Sequence, residues 1–355
     1  MTNTVQTAVV GVTGYAGAEL ARLLLRHPRL QGVPPVFAGR VDAKDLARGG
    51  VPLAEIHPQL AGGNGSGSLK LEPFSWELLA GRGVEVLFLA TPHEQSRQWV
   101  PEALARGLRV IDLSGAWRLT EAANRAVYAF DDEGSEQAAA IQAQAVYGMP
   151  ELHRAQIAGA RLVANPGCYA TSIILGLKPL VAAGLVDLDH GIVADAKSGM
   201  SGAGKAPTAR THFMYAADNL SAYGVFTHRH TGELLEQIGV EQSQIVFTPH
   251  LLPIPRGILS TIYVRFHDPQ TAATVSRVYR EFFRNSPMIR LHDKTLPQIQ
   301  YSLRTNYADI GFQLSADGRR AVVVSCLDNL LKGASSQAVE NLNVMLGWGE
   351  AEGLE

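Results

Sequence analysis

A turn punctuated by three glycines constrains this chain more than any other feature. Gln6-Thr7-Ala8-Val9-Val10 reads as a buried strand and runs straight into Gly11-Val12-Thr13-Gly14-Tyr15-Ala16-Gly17. An amphipathic helix follows, with Leu20, Leu23 and Leu24 at helical spacing and Pro28 just past its end. Glycine lets backbone approach a pyrophosphate, and a helix N-terminus stabilises the charge. A lone glycine pattern is weak and fits an ordinary turn as well, but this one has the strand before it and the helix after it. Gly11, Thr13, Gly14, Tyr15, Ala16 and Gly17 are therefore the expected contacts to a dinucleotide.

The choice of dinucleotide turns on the end of the second strand. An NAD site usually places Asp or Glu there for the ribose hydroxyls. Here the strand is read as Pro35-Val36-Phe37-Ala38, leading into Gly39-Arg40. An arginine with no acid at that point suits a 2′-phosphate, so NADP(H) is the expected cofactor. Asp42 lies close by and keeps NAD open, and Arg40 could equally be a solvated surface residue.

Further buried strands are read at 83–90, 108–114 and 161–164, with helical segments between them, for example 96–106. Alternating strands and helices predict an α/β, doubly wound parallel sheet of Rossmann type. After Cys168 the texture changes. Longer strands at 192–196, 245–249, 257–266 and 319–326 with few helices between them predict an α+β second domain built on a mixed or antiparallel sheet. The last helix, about 333–346, is expected to fold back onto the first domain. The expected division is 1–167 with 328–355 for the nucleotide domain and 168–327 for a substrate and oligomerisation domain. Gly62 to Ser68 reads as a surface loop.

Cys168 is one of two cysteines in 355 residues. It follows a strand end, Leu162-Val163-Ala164, and the turn Asn165-Pro166-Gly167, where proline fixes φ and glycine tolerates what other residues do not. A helix is read from Tyr169 onward. The thiol would then sit at a helix N-terminus, where unpaired N–H groups and the dipole favour the thiolate and can hold an oxyanion. A thiolate there can attack a carbonyl carbon. The plain alternative is a small buried hydrophobe, the role of most free cysteines.

His228 and His230, in Tyr223 to His230, would share one side of a short extended run. A metal site needs a third ligand that nothing nearby supplies, so no metal is expected. A histidine beside the thiolate would serve as general acid and base. Ser198-Gly199-Met200-Ser201-Gly202-Ala203-Gly204-Lys205 could cradle an anion with backbone N–H groups and Lys205, although its spacing is not that of a P-loop. Arg118, after a strand end, and Arg256, in Pro253-Ile254-Pro255-Arg256-Gly257, could fork onto phosphate or carboxylate. Each could equally be a surface arginine.

Composition excludes several classes. A hydrophobic share of 46% with 18% charged residues describes an ordinary globular protein with ample core. A formal net charge of −2 gives no basic face for nucleic acid. Two cysteines are too few for a disulfide framework and suit a reducing cytoplasm. Residues 1–7 lack a basic n-region, so no signal peptide is expected, and no apolar run is long enough to span a bilayer.

Taken in order, these segments resemble the N-acetyl-γ-glutamyl-phosphate reductase family of arginine biosynthesis, along nearly the whole chain. The match rests on Gly11 to Leu20, Tyr147-Gly148-Met149-Pro150-Glu151-Leu152, Asn165 to Thr171, Ser198 to Lys205, His228-Arg229-His230 and Asp328-Asn329-Leu330-Leu331-Lys332-Gly333. The resemblance implies a homo-oligomer, dimer or tetramer, that uses NADPH to reduce N-acetyl-γ-glutamyl phosphate to the semialdehyde and phosphate through a cysteine thioester. It implies Cys168 as nucleophile and His230, ahead of His228, as acid/base. Along the matching segments Ser198, Gly199 and Asn329 fall to the cofactor, and Ser201, Lys205 and His228 to the substrate; Arg118 and Arg256, outside those segments, join the substrate residues as anion-binding forks. Two departures bear on the substrate: Ala116-Trp117 precedes Arg118 where the family commonly has an acidic and an aromatic residue, and Thr231-Gly232 precedes Glu233 where it often has proline. Related chemistries remain open, namely aspartate-semialdehyde dehydrogenase, a reductase of carrier-linked aminoadipyl phosphate, and a catalytically silent NADP-binding regulator.

Overall fold

Successive residues of the first strand are buried against different partners. Val9 packs with Leu20, Leu24, Phe37 and Phe88 on one face, while Ala8 and Val10 pack with Leu87, Leu89, Val100 and Ala103 on the other. A strand covered on both faces is apolar nearly throughout, as Ala8-Val9-Val10 after Thr7 and Val86-Leu87-Phe88-Leu89 are. The computed structural model describes residues 4–61 and 69–355. The stretch read as a surface loop, 62–68, lies outside the described residues, as do residues 1–3 of the N-terminus.

Among the described residues the first sheet has eight strands: β1 (Thr7–Val10), β2 (Val36–Gly39), β3 (Val51–Pro52), β4 (Lys70–Pro73), β5 (Val86–Leu89), β6 (Arg109–Asp112), β7 (Ala145–Tyr147) and β8 (Leu162–Ala164). Their order is β3-β4-β2-β1-β5-β6-β8-β7, and every neighbouring pair is parallel except β3 with β4. The chain works outward from β1 through β2 to β4, then returns to the other side of β1 with β5, β6 and β8. The crevice between the ends of β1 and β5 is the switch point at which doubly wound sheets bind nucleotides. Helix α1 (Tyr15–Arg26) covers one face and α2 (His93–Ala105) the other. Helix α3 (Pro150–Ala158) follows β7.

The second sheet takes the order β10-β11-β9-β12-β15-β14-β13, from β9 (Ile192–Gly199), β10 (Ser221–Ala222), β11 (Ile245–Leu252), β12 (Ile258–Arg265), β13 (Ile289–His292), β14 (Ala308–Leu314) and β15 (Arg320–Leu327). It is mixed: β11–β9 and β14–β13 are parallel, the other pairs antiparallel. The sequence pattern missed β14 altogether. Asp309 and Gly311 break its apolar run, and only the fold reveals that Asp309 is fully buried and engaged by Arg290, His292 and Ser302.

The connection between the sheets is α4 (Cys168–Ala182), buried almost all round. Ser172 satisfies its hydroxyl on Ser260 and Ser325, at 2.8 and 3.2 Å. Helix α5 (Ala272–Phe282) packs beside it through Val275 and Tyr279. After β15 the chain returns through a π turn, Leu331–Ser335, into α6 (Ser336–Met345), which joins α1 on the first sheet.

Candidate active site

Four loops at the carboxyl ends of β1, β5, β6 and β8 meet over the crevice. They line a cleft of about 380 Å³ that holds Gly14, Tyr15, Ala16, Gly17, Arg118, Cys168, Ser201, Lys205, His230 and Asn329 together. A second cavity of about 270 Å³ lies behind Cys168 and is lined by Ser198, Tyr223, His228 and His230 among others. Cys168 and His230 line both. Arg40 and Gly199 line neither, and Arg256 lines a third cavity beside Thr13 and Tyr15.

The three glycines of the turn differ in why they are glycine. Gly11 has φ +97°, and a Cβ there would stand 2.2 Å from the Ala90 carbonyl oxygen. A Cβ on Gly17 would stand 2.2 Å from the Gly11 oxygen. Gly11 is required by the close approach of the two strand ends and its positive φ, and Gly17 by the packing of α1 on the turn. At Gly14 the nearest atom to such a Cβ is 3.5 Å away, so the protein itself leaves room there. That open backbone at the head of α1 is the surface a pyrophosphate needs, and the residues present fit a dinucleotide.

The reason for Gly167 also differs from the one expected. Its φ of −76° suits any residue. A Cβ there would stand 2.3 Å from His230 Nε2, so the glycine lets the imidazole lie against the turn that presents Cys168. Cys168 is the first residue of α4. Hydrogen bonds from the Tyr169 and Cys168 amides and the charge of Arg118 pull its thiol pKa down, but burial outweighs them and pushes it up to about 11. The helix terminus acts in the expected direction and is overruled by desolvation. Burial first, then the charges of Arg118 and Arg229, hold His230 well below the usual imidazole range. Thiol and imidazole are therefore both neutral at rest. His230 Nδ1 is buried and, among the described residues, has no hydrogen-bond partner.

The histidine run is a turn rather than an extended strand. Gly224 and Phe226 take left-handed φ values of 58° and 62°, and Thr231 N–H closes on the His228 carbonyl. The rings meet edge to face with centroids 4.7 Å apart, and His228 Nδ1 accepts from the His230 amide at 3.1 Å. His228 sits among Tyr169, Tyr223 and Phe247, and burial drives its pKa down to about 2.

Glu233 was not singled out from sequence. Fully buried, it accepts from Arg118 at 3.1 Å, from Tyr147 Oη at 2.7 Å and from the Gly167 amide at 2.9 Å. The signal available was its position three residues after His230. Arg118 also donates to the carbonyls of Asn165 and Leu113, so its fork is engaged inside the protein. Arg256 binds Asp328 at 2.9 Å and Glu19 of α1 at 2.6 Å, tying the two domains. The amides of Gly199, Met200 and Ser201 bind the carbonyls of Gly257, Ile254 and Pro255, so this part of the Ser198–Lys205 loop is docked by its own backbone. Asn329 joins Ser201 to the Gly257 amide, Ser198 donates to the Gly199 carbonyl, and Lys205 Nζ reaches the Thr13 carbonyl at 3.3 Å.

Two family models match the chain: the semialdehyde dehydrogenase NAD-binding domain over residues 6–160 and the semialdehyde dehydrogenase dimerisation domain over 168–329. Among solved structures, aspartate semialdehyde dehydrogenase II from Vibrio cholerae, complexed with ASA, is similar at a TM-score of 0.69 and 17% identity, covering 97% of this chain and 99% of that one. A probable aspartate-semialdehyde dehydrogenase from Pseudomonas aeruginosa is similar at 0.67 and 20%, with the same coverage. At such identity the likeness shows the fold. Fold and domain pair make this an NAD(P)-binding oxidoreductase of the semialdehyde dehydrogenase class, with a domain of the oligomerising kind. Sequence narrows the class further. N-acetyl-γ-glutamyl-phosphate reductase of Desulfotalea psychrophila is 42% identical over 358 residues, 99% of this chain and 98% of that one. That of Methanococcus maripaludis is 37% identical over 352, covering 98% and 97%. The chain belongs to the N-acetyl-γ-glutamyl-phosphate reductase family. Among the described residues no helix is long and apolar enough to cross a membrane.

Proposed function

We propose that this chain reduces N-acetyl-γ-glutamyl phosphate to N-acetylglutamate semialdehyde and phosphate, with NADPH as the reductant, as a step of arginine biosynthesis. The observation that carries the reading is the His230 ring lying on Gly167 beside Cys168, in a cleft shared with the glycine turn. As Cys168 attacks the γ-carbonyl, neutral His230 takes the thiol proton. The Tyr169 and Cys168 amides hold the oxyanion, phosphate leaves and takes its proton from solvent, and a thioester remains on Cys168. Bound NADPH supplies the hydride that reduces this carbonyl. His230 returns its proton to the adduct oxygen, then relays it to sulfur as the adduct collapses to aldehyde and thiol. Glu233 and Arg118 act as positioning residues, fixing the Gly167 turn and the Asn165 carbonyl. Removing one member of so buried a pair costs about 3–5 kcal/mol.

Gly11 to Gly17 would hold the pyrophosphate and Arg40 the 2′-phosphate. Arg40 is exposed just past β2 and, among the described residues, has no carboxylate within ion-pair distance. Arg40→Asp is expected to move the kcat/KM ratio of NADPH to NADH at least about tenfold toward NADH. An unchanged ratio would remove Arg40 from cofactor discrimination.

We assign 1–167 with 328–355 to the nucleotide domain and 168–327 to substrate and assembly. The assembly is a dimer or tetramer, a state read by sedimentation velocity. Phe213, Met214 and Tyr215, each at least two-thirds exposed, offer an apolar patch for it. Two unbridged cysteines suit a cytoplasmic setting.

The deciding experiment offers N-acetylglutamate semialdehyde and aspartate semialdehyde side by side, with phosphate or arsenate and NADP⁺. At least about a hundredfold preference for the acetylated aldehyde is expected. The reverse preference would make the chain an aspartate-semialdehyde dehydrogenase, and inertness toward both would make it a silent binder.

A further inference from the structure

The cavity behind Cys168 has a chemistry of its own. Its lining contains two arginines, Arg210 and Arg229, and no aspartate or glutamate. Its two histidines, His228 and His230, are held neutral by burial. Among the described residues neither arginine meets a carboxylate at ion-pair distance, whereas Arg118 and Arg256, the arginines conspicuous in the sequence, are both engaged by buried or half-buried acids. The Arg210 guanidinium lies 5.4 Å from the centre of the Tyr223 ring, and Tyr223 also lines the cavity. Thr208 and Thr211 close the turn that carries Arg210 by bonding each other at 3.0 Å. A cavity of this size, about nine water volumes, with cations and no acid selects an anionic guest.

The two arginines are not equivalent. Arg229 lines both cavities and so stands where they meet at Cys168, while Arg210 lines only the far one. A substrate with its reacting carbon at Cys168 and its chain in the far cavity would run toward Arg210. We propose that this cavity is the acyl chamber and that Arg210 binds the α-carboxylate of the substrate. The proposal rests on the reading of function given above. The recognition is charge-assisted and suited to a guanidinium fork.

The test compares N-acetylglutamate semialdehyde with 4-acetamidobutanal, the same aldehyde without its carboxylate, in phosphate-driven oxidation. Wild type should favour the carboxylate-bearing aldehyde. Arg210→Met should raise its KM about 10- to 100-fold while leaving kcat/KM for 4-acetamidobutanal within about twofold, and Arg210→Lys should restore part of the preference. Equal losses on both aldehydes, or a preference unchanged in Arg210→Met, would overturn the assignment of Arg210. So would a wild-type enzyme that does not discriminate between the two. A wild type inactive on both refutes the functional reading and this inference together, so the two failures are told apart.

Discussion

Cys168→Ser is expected to bind NADPH as wild type does and to lose turnover by about three to five orders of magnitude. The substitution removes the group that can accept the acyl chain, because a serine hydroxyl is too weak an acid for His230 to ionise at neutral pH. Sulfur and oxygen differ little in size, so α4 and the Gly167 turn should keep their places. Cofactor binding by fluorescence and turnover in the semialdehyde assay separate the two effects. Activity within about tenfold of wild type would return Cys168 to the role of a packed hydrophobe. Cys326 provides the control. It is buried in β15, and burial pushes its thiol up to about 12. Cys326→Ser should cost modest stability and leave turnover intact.

His230→Asn is expected to lower kcat/KM about 10²- to 10⁴-fold at pH 7 and to change the shape of the pH profile. With the Cys168 thiol near 11 and His230 far below its ordinary value, both are neutral from about pH 7 to 9. On the proposed mechanism wild type would move the proton from sulfur to imidazole during attack, so its rate should be nearly flat there. Without the imidazole only thiolate already ionised can attack, and its fraction rises about tenfold per pH unit below 11. The variant should therefore gain on wild type steadily as pH rises. A flat profile in His230→Asn would show that another group takes the proton. His228→Asn should do less, since His228 lines only the far cavity and its Nδ1 is engaged by the His230 amide. If His228→Asn proves the more damaging, the two assignments are exchanged.

Much of the frame was legible because it is local. The glycine turn, the β8–turn–α4 junction and the double burial of β1 and β5 are written in consecutive residues. The site's support was not, because it is made at a distance. Glu233 meets Tyr147 and Arg118 from 86 and 115 residues away. The same long-range chemistry misled the eye over arginines. Arg118 follows a strand end and Arg256 stands in a proline-rich turn, and both are occupied by the protein's own acids, while Arg210 has no such setting and, among the described residues, meets no carboxylate at ion-pair distance. Gly167 was read as a conformational necessity, yet only a contact with a ring sixty-three positions onward explains it. The extended reading of the histidine run failed because alternation says nothing about a left-handed Phe226.

The chain passes between the sheets twice, at Gly167–Cys168 and at Asp328–Gly333, and the two passages touch: a Cβ on Gly333 would stand 2.8 Å from Cys168 Cβ. Any swing of one domain on the other must bend the backbone at these passages, so its pivot runs beside the Cys168 sulfur. Points far from the pivot travel furthest. Cys168 sits at that pivot, and the Lys205–Thr13 contact between the two domains is one that such a swing would have to part. Such a swing would also have to break the Arg256–Glu19 pair, yet it would displace Cys168 least, as the pin of a pair of shears moves least.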